Sequence, residues 1–318
     1  MVQPSGPGVY DALSAVRRLL DELEFPFEFA SAAAARRERD ELLALLDLYI
    51  LPRLEHPDAP LLMTVGGPTG SGASTIVNTL VGEIVTMPGV LRPTTRIPVL
   101  VHHPNDTAWF TTSDRPGWYG GEPALVERIA SERVPAGVAL LDAPPLDSVA
   151  ASIRRPALEA IVAADLWLFI TTAARYADAL QWDLLGAAAQ RRMSVAVVLN
   201  RVPAVAMNEV RSHLAELLAG RGLPNATLLD VIETELTSAG VLPSEAAEQV
   251  MRWFTDLAGD EQARTVIIRR TLHGAVEAVL GRLDAVLAGA GEDVFDQPTR
   301  DSLLSAASDV RRAWEDAA

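Results

Sequence analysis

Residues 63–80 read MTVGGPTGSGASTIVNTL. An apolar run over 61–65 enters a glycine-rich turn, and helical spacing resumes after it, so the stretch predicts a strand, a loop and a helix in that order. Gly67, four intervening residues, Gly72, residue 73 and Ser74 follow G-x-x-x-x-G-K-[ST] at every defined position but one. At that one, Ala73 stands where the pattern has lysine. Gly67, Pro68, Thr69, Gly70, Ser71 and Gly72, with Ser74 and Thr75 opening the helix, form a candidate phosphate cradle. Glycines let backbone N–H groups curl around an anion, and the following helix turns its positive end toward it. The Ser74 hydroxyl is the expected Mg²⁺ ligand, and the missing lysine would have reached the β- and γ-phosphates. A glycine-rich turn in an unrelated α/β protein is the plain alternative; the strand, turn and helix in sequence favour the phosphate.

Outward from this loop, short apolar runs alternate with helical patterns. Strands are expected at 61–66, 97–102, 136–141, 165–171, 194–199 and 226–231, and helices at 73–82, 122–132, 150–163, 176–190, 206–220 and 244–257. Nearly all-apolar strands alternating with helices predict a three-layer α/β fold with a mostly parallel, six-stranded sheet. Helical patterns at 9–24, 28–50, 262–289 and 298–315 flank it and are suited to pack as a bundle. The expected division is 1–57, 58–258 and 259–318. The polar and aromatic segment 103–121 is long for a connection without a task.

Composition bounds the function. A formal net charge of -15 disfavours a general nucleic-acid binder, and 49% hydrophobic content suits a sizeable core. Cysteine is absent, which excludes disulfides and thiolate metal sites. Lysine is absent as well, so arginine is the basic side chain throughout. The first residues lack a basic start followed by an apolar core, and no apolar stretch reaches the roughly 18 residues of a membrane span. The expectation is a cytoplasmic protein, peripheral at the inner face of the membrane if it meets lipid.

Three further positions carry chemistry. Residues 90–101 read VLRPTTRIPVLV, and a threonine just before a strand can ligate Mg²⁺ and hold a γ-phosphate; Thr95 is the candidate, against a strand start that merely favours β-branched residues. Residues 138–147 read VALLDAPPLD, placing Asp142 at the end of an apolar strand, where a Mg²⁺-water ligand belongs; capping of the next segment is the alternative. Residues 197–203 read VVLNRVP, where Asn200 can hydrogen-bond a purine edge and the Arg201 stem can lie over the ring, against an ordinary strand-end turn.

In this order, GGPTGSGAST, RPTTR, LLDAPPLDS and VLNRVP resemble the successive motifs of the dynamin-like GTPases, and of bacterial, especially actinobacterial, members above others. The resemblance covers roughly residues 60–245. It implies GTP and GDP as ligands, Mg²⁺ held by Ser74, Thr95 and Asp142, and hydrolysis coupled to dimerisation across the GTPase face and to membrane remodelling. The flanking helices would form a neck bundle, and lipid would be met through a region not in this chain. Departures accompany the likeness. Pro145 and Pro203 replace a glycine and a base-reading aspartate, Gly70 stands where many eukaryotic members carry serine, and Ala73 removes the phosphate-binding charge. Losing that cation should impair turnover by itself. Ala73 is compatible with an engineered replacement and with a natural pseudo-GTPase that binds an active paralogue as a scaffold. A transporter-type ATPase would need an LSGGQ-like signature and a strand ending in Asp-Glu, and the sequence has neither.

Overall fold

The computed structural model describes residues 7–23, 30–87, 97–111, 126–289 and 297–317. The chain forms two compact units, one of Met1–Ala59 with Leu272–Ala318 and one of Pro60–Thr271.

The larger unit is built on a sheet with seven strands among the described residues: β1 (Leu61–Gly66), β2 (Val99–His102), β3 (Glu127–Ala130), β4 (Val138–Asp142), β5 (Leu166–Thr172), β6 (Ser194–Val202) and β7 (Thr227–Ile232). The order is β3-β2-β4-β1-β5-β6-β7. Strands β4, β1, β5, β6 and β7 run parallel. Strand β2 is antiparallel to β4, and β3 runs parallel to β2. The sheet is thus mostly parallel, with one strand more than the sequence predicts. The addition is β3, a strand at the sheet edge within 122–132, which the spacing predicts to be a helix. Its four residues, Glu-Arg-Ile-Ala, are exposed or half-buried, so they lack the apolar run that marks a buried strand. Backbone pairing with β2, rather than intrinsic propensity, sets their conformation.

Helices cover both faces. One layer contains α4 (Ala73–Val81), α9 (Ser244–Gly259) and the start of α10 (Glu261–Gly289). Leu61, Met63 and Val65 of β1 meet Ile76, Leu80 and Phe254 there. The opposite layer contains α6 (Ala151–Val162), α7 (Ala179–Gln190) and α8 (Met207–Gly220), whose Ile161, Trp182, Leu185 and Leu214 cover Trp167, Phe169 and Val197. A slip of one residue in any central strand would exchange these two sets, so the register is strongly specified. Asp165 Oδ2 accepts from the Leu62 N–H at 2.8 Å, and Thr271 Oγ1 donates to Asp165 O at 2.8 Å and accepts from the Ser194 N–H at 3.2 Å. These bonds satisfy buried backbone groups at the strand starts.

The smaller unit is helical: α1 (Pro7–Asp21), α2 (Ala30–Leu45), α3 (Leu51–Glu55), the later part of α10 and α11 (Gln297–Ala317). Between α2 and α3 the turn at Leu46–Ile50 widens, the Leu51 N–H reaching Leu46 O. Pro52 follows at once and has no N–H to continue an ordinary ladder. Leu13 and Leu20 of α1 and Leu303 and Val310 of α11 are buried as these two helices pack together. Arg17 bonds Asp47 at 3.0 Å and Asp21 at 2.9 Å, Arg282 pairs with Glu38 and Glu41, and Trp314 Nε1 donates to His273 at 3.1 Å. Among the described residues no helix is long and apolar enough to cross a membrane. Ala12, Ala15, Ser302 and Asp309 line a surface cavity in this unit.

Candidate functional site

The carboxyl ends of β1, β4, β5 and β6 meet at one edge of the sheet, where open α/β folds bind their ligands. The glycine loop leaves β1 there and enters α4 at Ala73. Two of its glycines are fixed by space. A Cβ on Gly67 would lie 2.0 Å from Ile170 O of β5. Gly72 has φ +92°, and a Cβ on it would lie 2.4 Å from Asn200 Nδ2. The loop is therefore pressed between neighbouring strands and leaves no room for side chains at its two ends.

Six expected residues are brought together. Ser74 Oγ donates to Asp142 Oδ2 at 2.7 Å. Asn200 Nδ2 donates to Ser71 O at 2.7 Å, and Arg201 Nη1 donates to Gly70 O at 3.3 Å. Asn200 Oδ1 accepts from the Arg201 N–H at 3.0 Å, which accompanies a left-handed Arg201 backbone, φ 53°, at an irregularity of β6. A non-glycine residue in that region is strained, and its occurrence beside the loop marks a site whose geometry is imposed by its surroundings. Ser71 and Thr75 are buried, whereas Ala73 is half-buried and its methyl packs toward the core beneath α4. Thr95 lies outside the described residues.

Asp142 is fully buried. Its Oδ2 takes hydroxyl bonds from Ser74 and, at 2.6 Å, from Thr86, while its Oδ1 has no hydrogen-bond partner among the described residues. Burial pushes the carboxyl up to about 6, and the Thr86 and Ser74 hydroxyls only partly offset it. A buried carboxylate oxygen with no donor among the described residues, beside a serine hydroxyl at a helix start, suits a hard cation. Among the described residues there is no cluster of three acidic or histidine side chains that could hold a metal. One carboxylate and one hydroxyl are enough for Mg²⁺, which keeps several waters and takes the rest of its ligands from phosphates. Ser74 and Asp142 thus fit that ion.

Several participants escape motif reading. Thr86 is held in place by Asn78, whose Nδ2 donates to Thr86 O at 2.8 Å while its Oδ1 accepts from the Thr86 N–H at 3.0 Å. Asp147 Oδ1 accepts from both the Thr69 N–H, at 2.8 Å, and the Thr69 hydroxyl, at 2.7 Å. Arg175 pairs with Asp147 at 2.9 Å and donates to Thr69 O at 3.1 Å. Burial alone would lift the Asp147 carboxyl; the Thr69 donors and the Arg175 charge outweigh it and hold it below the usual carboxylate range. The only signals in the sequence are an aspartate five positions after Asp142 and an arginine after a strand.

No protein-family model matches the chain. No curated protein matches it by sequence. Solved structures similar to it include a member of an oligomerised bacterial dynamin pair described in the long-range sensing and tethering of membranes, at 12% identity, covering 90% of this chain and 56% of that one, TM-score 0.45. LeoA, a bacterial dynamin GTPase from ETEC, is similar at 13% identity over 91% of this chain and 49% of its own, TM-score 0.38. Toc33 from Arabidopsis thaliana in complex with Mg²⁺ and GMPPNP is similar at 14% identity over 79% of this chain and 95% of its own, TM-score 0.36. The chain thus spans about half the length of the two bacterial dynamins, 56% and 49%. At such identities and TM-scores the weight falls on the loop itself.

Proposed function

We propose that this chain is a guanine-nucleotide-binding protein of dynamin-like build that binds nucleotide weakly and is deficient in hydrolysis because residue 73 is alanine. One observation carries the reading. A glycine loop at the carboxyl edge of a parallel sheet is tied to a buried aspartate through Ser74 and to Asn200 through Ser71. Gly67, Pro68, Thr69, Gly70, Ser71 and Gly72 would cradle the phosphates, with Ser74 and Thr75 at the helix start. Asn200 and Arg201 close the side on which a base would lie. Ser74 and Asp142 would hold Mg²⁺, with Thr95 as a further ligand, and that ion supplies neutralisation of phosphate charge. Pro145 has no N–H to offer a γ-phosphate, and Pro203 cannot read guanine as a carboxylate does.

The same reading assigns dimerisation with a second copy or a paralogue to the nucleotide face. It assigns the role of a helical neck to the smaller unit, and membrane remodelling to the protein as a whole, at the inner face of the membrane. A second reading, a scaffold without turnover, is favoured by the packing of the Ala73 methyl toward the core, since that position offers the phosphates no charge.

Calorimetric titration of Mg·GTP, Mg·GDP and Mg·ATP into the chain and into Ala73→Lys tests the proposal. A restored ammonium should tighten GTP by about 100-fold, the equivalent of ~3 kcal/mol, and restore phosphate release. Binding by neither form would remove the nucleotide reading. Binding of GTP by the lysine form without any turnover would favour the scaffold.

A further inference from the structure

The Asp147 carboxylate does at the loop what a phosphate oxygen would do. One of its oxygens takes the backbone N–H and the hydroxyl of Thr69, the third residue of the six-residue loop. The other takes Arg175 Nη2 at 2.9 Å. Arg175 also donates from Nη1 to Thr69 O at 3.1 Å, and from Nε to Asp178 Oδ2 at 2.9 Å. Gln181 Nε2 supports the same Asp178 oxygen at 3.2 Å. The segment before Asp147 is laid alongside the loop by two backbone bonds, Ala143 N–H to Val65 O at 2.9 Å and Leu146 N–H to Gly67 O at 3.3 Å. Pro144 and Pro145 stiffen it between them. A negatively charged group is therefore delivered to a cradle whose donors suit anions, and the cation that holds it there has its own anchor on the far side.

Resting on the nucleotide reading, we propose that Asp147 is a built-in competitor for the phosphate chain of the nucleotide. Arg175 is the cation that Asp147 yields to that phosphate chain when it is displaced. In the closed arrangement Asp147 and Asp178 both engage Arg175, and the neighbouring cation, Arg201, reaches Gly70 O, so the Asp147 carboxylate occupies the Thr69 donors and the Arg175 charge in a phosphate's place. Once Asp147 swings away, Asp178 keeps Arg175 at the loop, and Arg175 supplies positive charge that residue 73 does not. A merely structural role for Asp147, propping the loop through Thr69, predicts the opposite sign: neutralising it would loosen the cradle and weaken binding.

The test is calorimetric titration of Mg²⁺ with a non-hydrolysable GTP analogue into Asp147→Asn, Thr69→Val and Asp147→Asn/Arg175→Gln. Each is made on the parent and on Ala73→Lys, with thermal unfolding as the check on folding. The expected result is binding about tenfold tighter in Asp147→Asn, since a charge-assisted competitor is removed. Thr69→Val, which removes one of the bonds holding Asp147, should give a smaller gain and reaches the same latch if Asp147→Asn does not fold. The double variant should lose the gain. Binding unchanged or weakened by Asp147→Asn in a lysine form that does bind the analogue would overturn the latch and leave the nucleotide reading standing. Absence of binding in every form, lysine included, would remove both.

Discussion

Replacing Asp142 by asparagine should make the folded chain more stable above neutral pH, even though it removes a ligand of the proposed Mg²⁺ site. In the folded chain the carboxyl is fully buried and, among the described residues, bonds the neutral Ser74 and Thr86 hydroxyls through Oδ2 and has no partner at Oδ1. Burial first, against the pull of those hydroxyls, raises it from the ordinary 3.8 to about 6. Between these values the folded chain holds a proton that the unfolded chain has released. Stability therefore falls as pH rises through this window and stays at the lower level above it. The gap, at roughly 1.4 kcal/mol per pH unit, amounts to about 3 kcal/mol. Asparagine does not ionise, and its oxygen can keep both hydroxyl bonds, but its NH₂ enters a buried spot without an acceptor, at a cost of about 1–2 kcal/mol. The net gain expected at pH 8 is about 1–2 kcal/mol, shrinking to nothing or reversing near pH 4. Urea denaturation across that range reads it, followed by tryptophan fluorescence, since Trp167 and Trp182 both lie in the sheet unit. An asparagine variant no more stable than its parent at pH 8, or a gain that persists undiminished at pH 4, would refute the reasoning.

Gly72→Ala should destabilise the sheet unit by about 3 kcal/mol, from a left-handed backbone and displacement of the Asn200 amide; an unchanged urea midpoint would contradict the close approach at Asn200. Thr271→Val should cost about 2 kcal/mol by removing the hydroxyl that bonds the Ser194 N–H and Asp165 O, while Thr271→Ser should retain most of the stability, both read by thermal unfolding.

What the sequence reveals of this fold follows how much of each element's conformation is local. The buried strands were legible because burial on both faces forces apolar runs: residues 61–66 match β1, and 194–199 match all of β6 except its irregular end, where Arg201 is exposed. Strand β3 was not, because an edge strand made of Glu-Arg-Ile-Ala owes its conformation to a partner far along the chain. Asp142 stood out as a lone charge ending an all-apolar strand, and Ser74 and Asn200 through their spacing. Thr86, Asp147 and Arg175 belong to the same constellation, yet their roles arise from tertiary placement: Asn78 fixes the first, and two prolines and a backbone pairing deliver the second. Polar residues in connections carry no periodicity from which such placement could be read.

The loop's geometry also fixes when it can form. Its glycine turn is shaped by Ile170 O of β5, Ser74 by Asp142 of β4, and the Ser71 carbonyl by Asn200 of β6, so none of these contacts is local. Contacts of large sequence separation come late, because chain closure must precede them. During synthesis the cradle therefore stays unformed until the chain has passed Asn200 and the sheet has docked from β4 to β6. Until then the glycines are free to sample many conformations. Acquisition of the loop's shape is in this sense a report that the centre of the sheet, from β4 to β6, has been assembled, and any truncation before β6 would abolish it while leaving the sequence of the loop untouched.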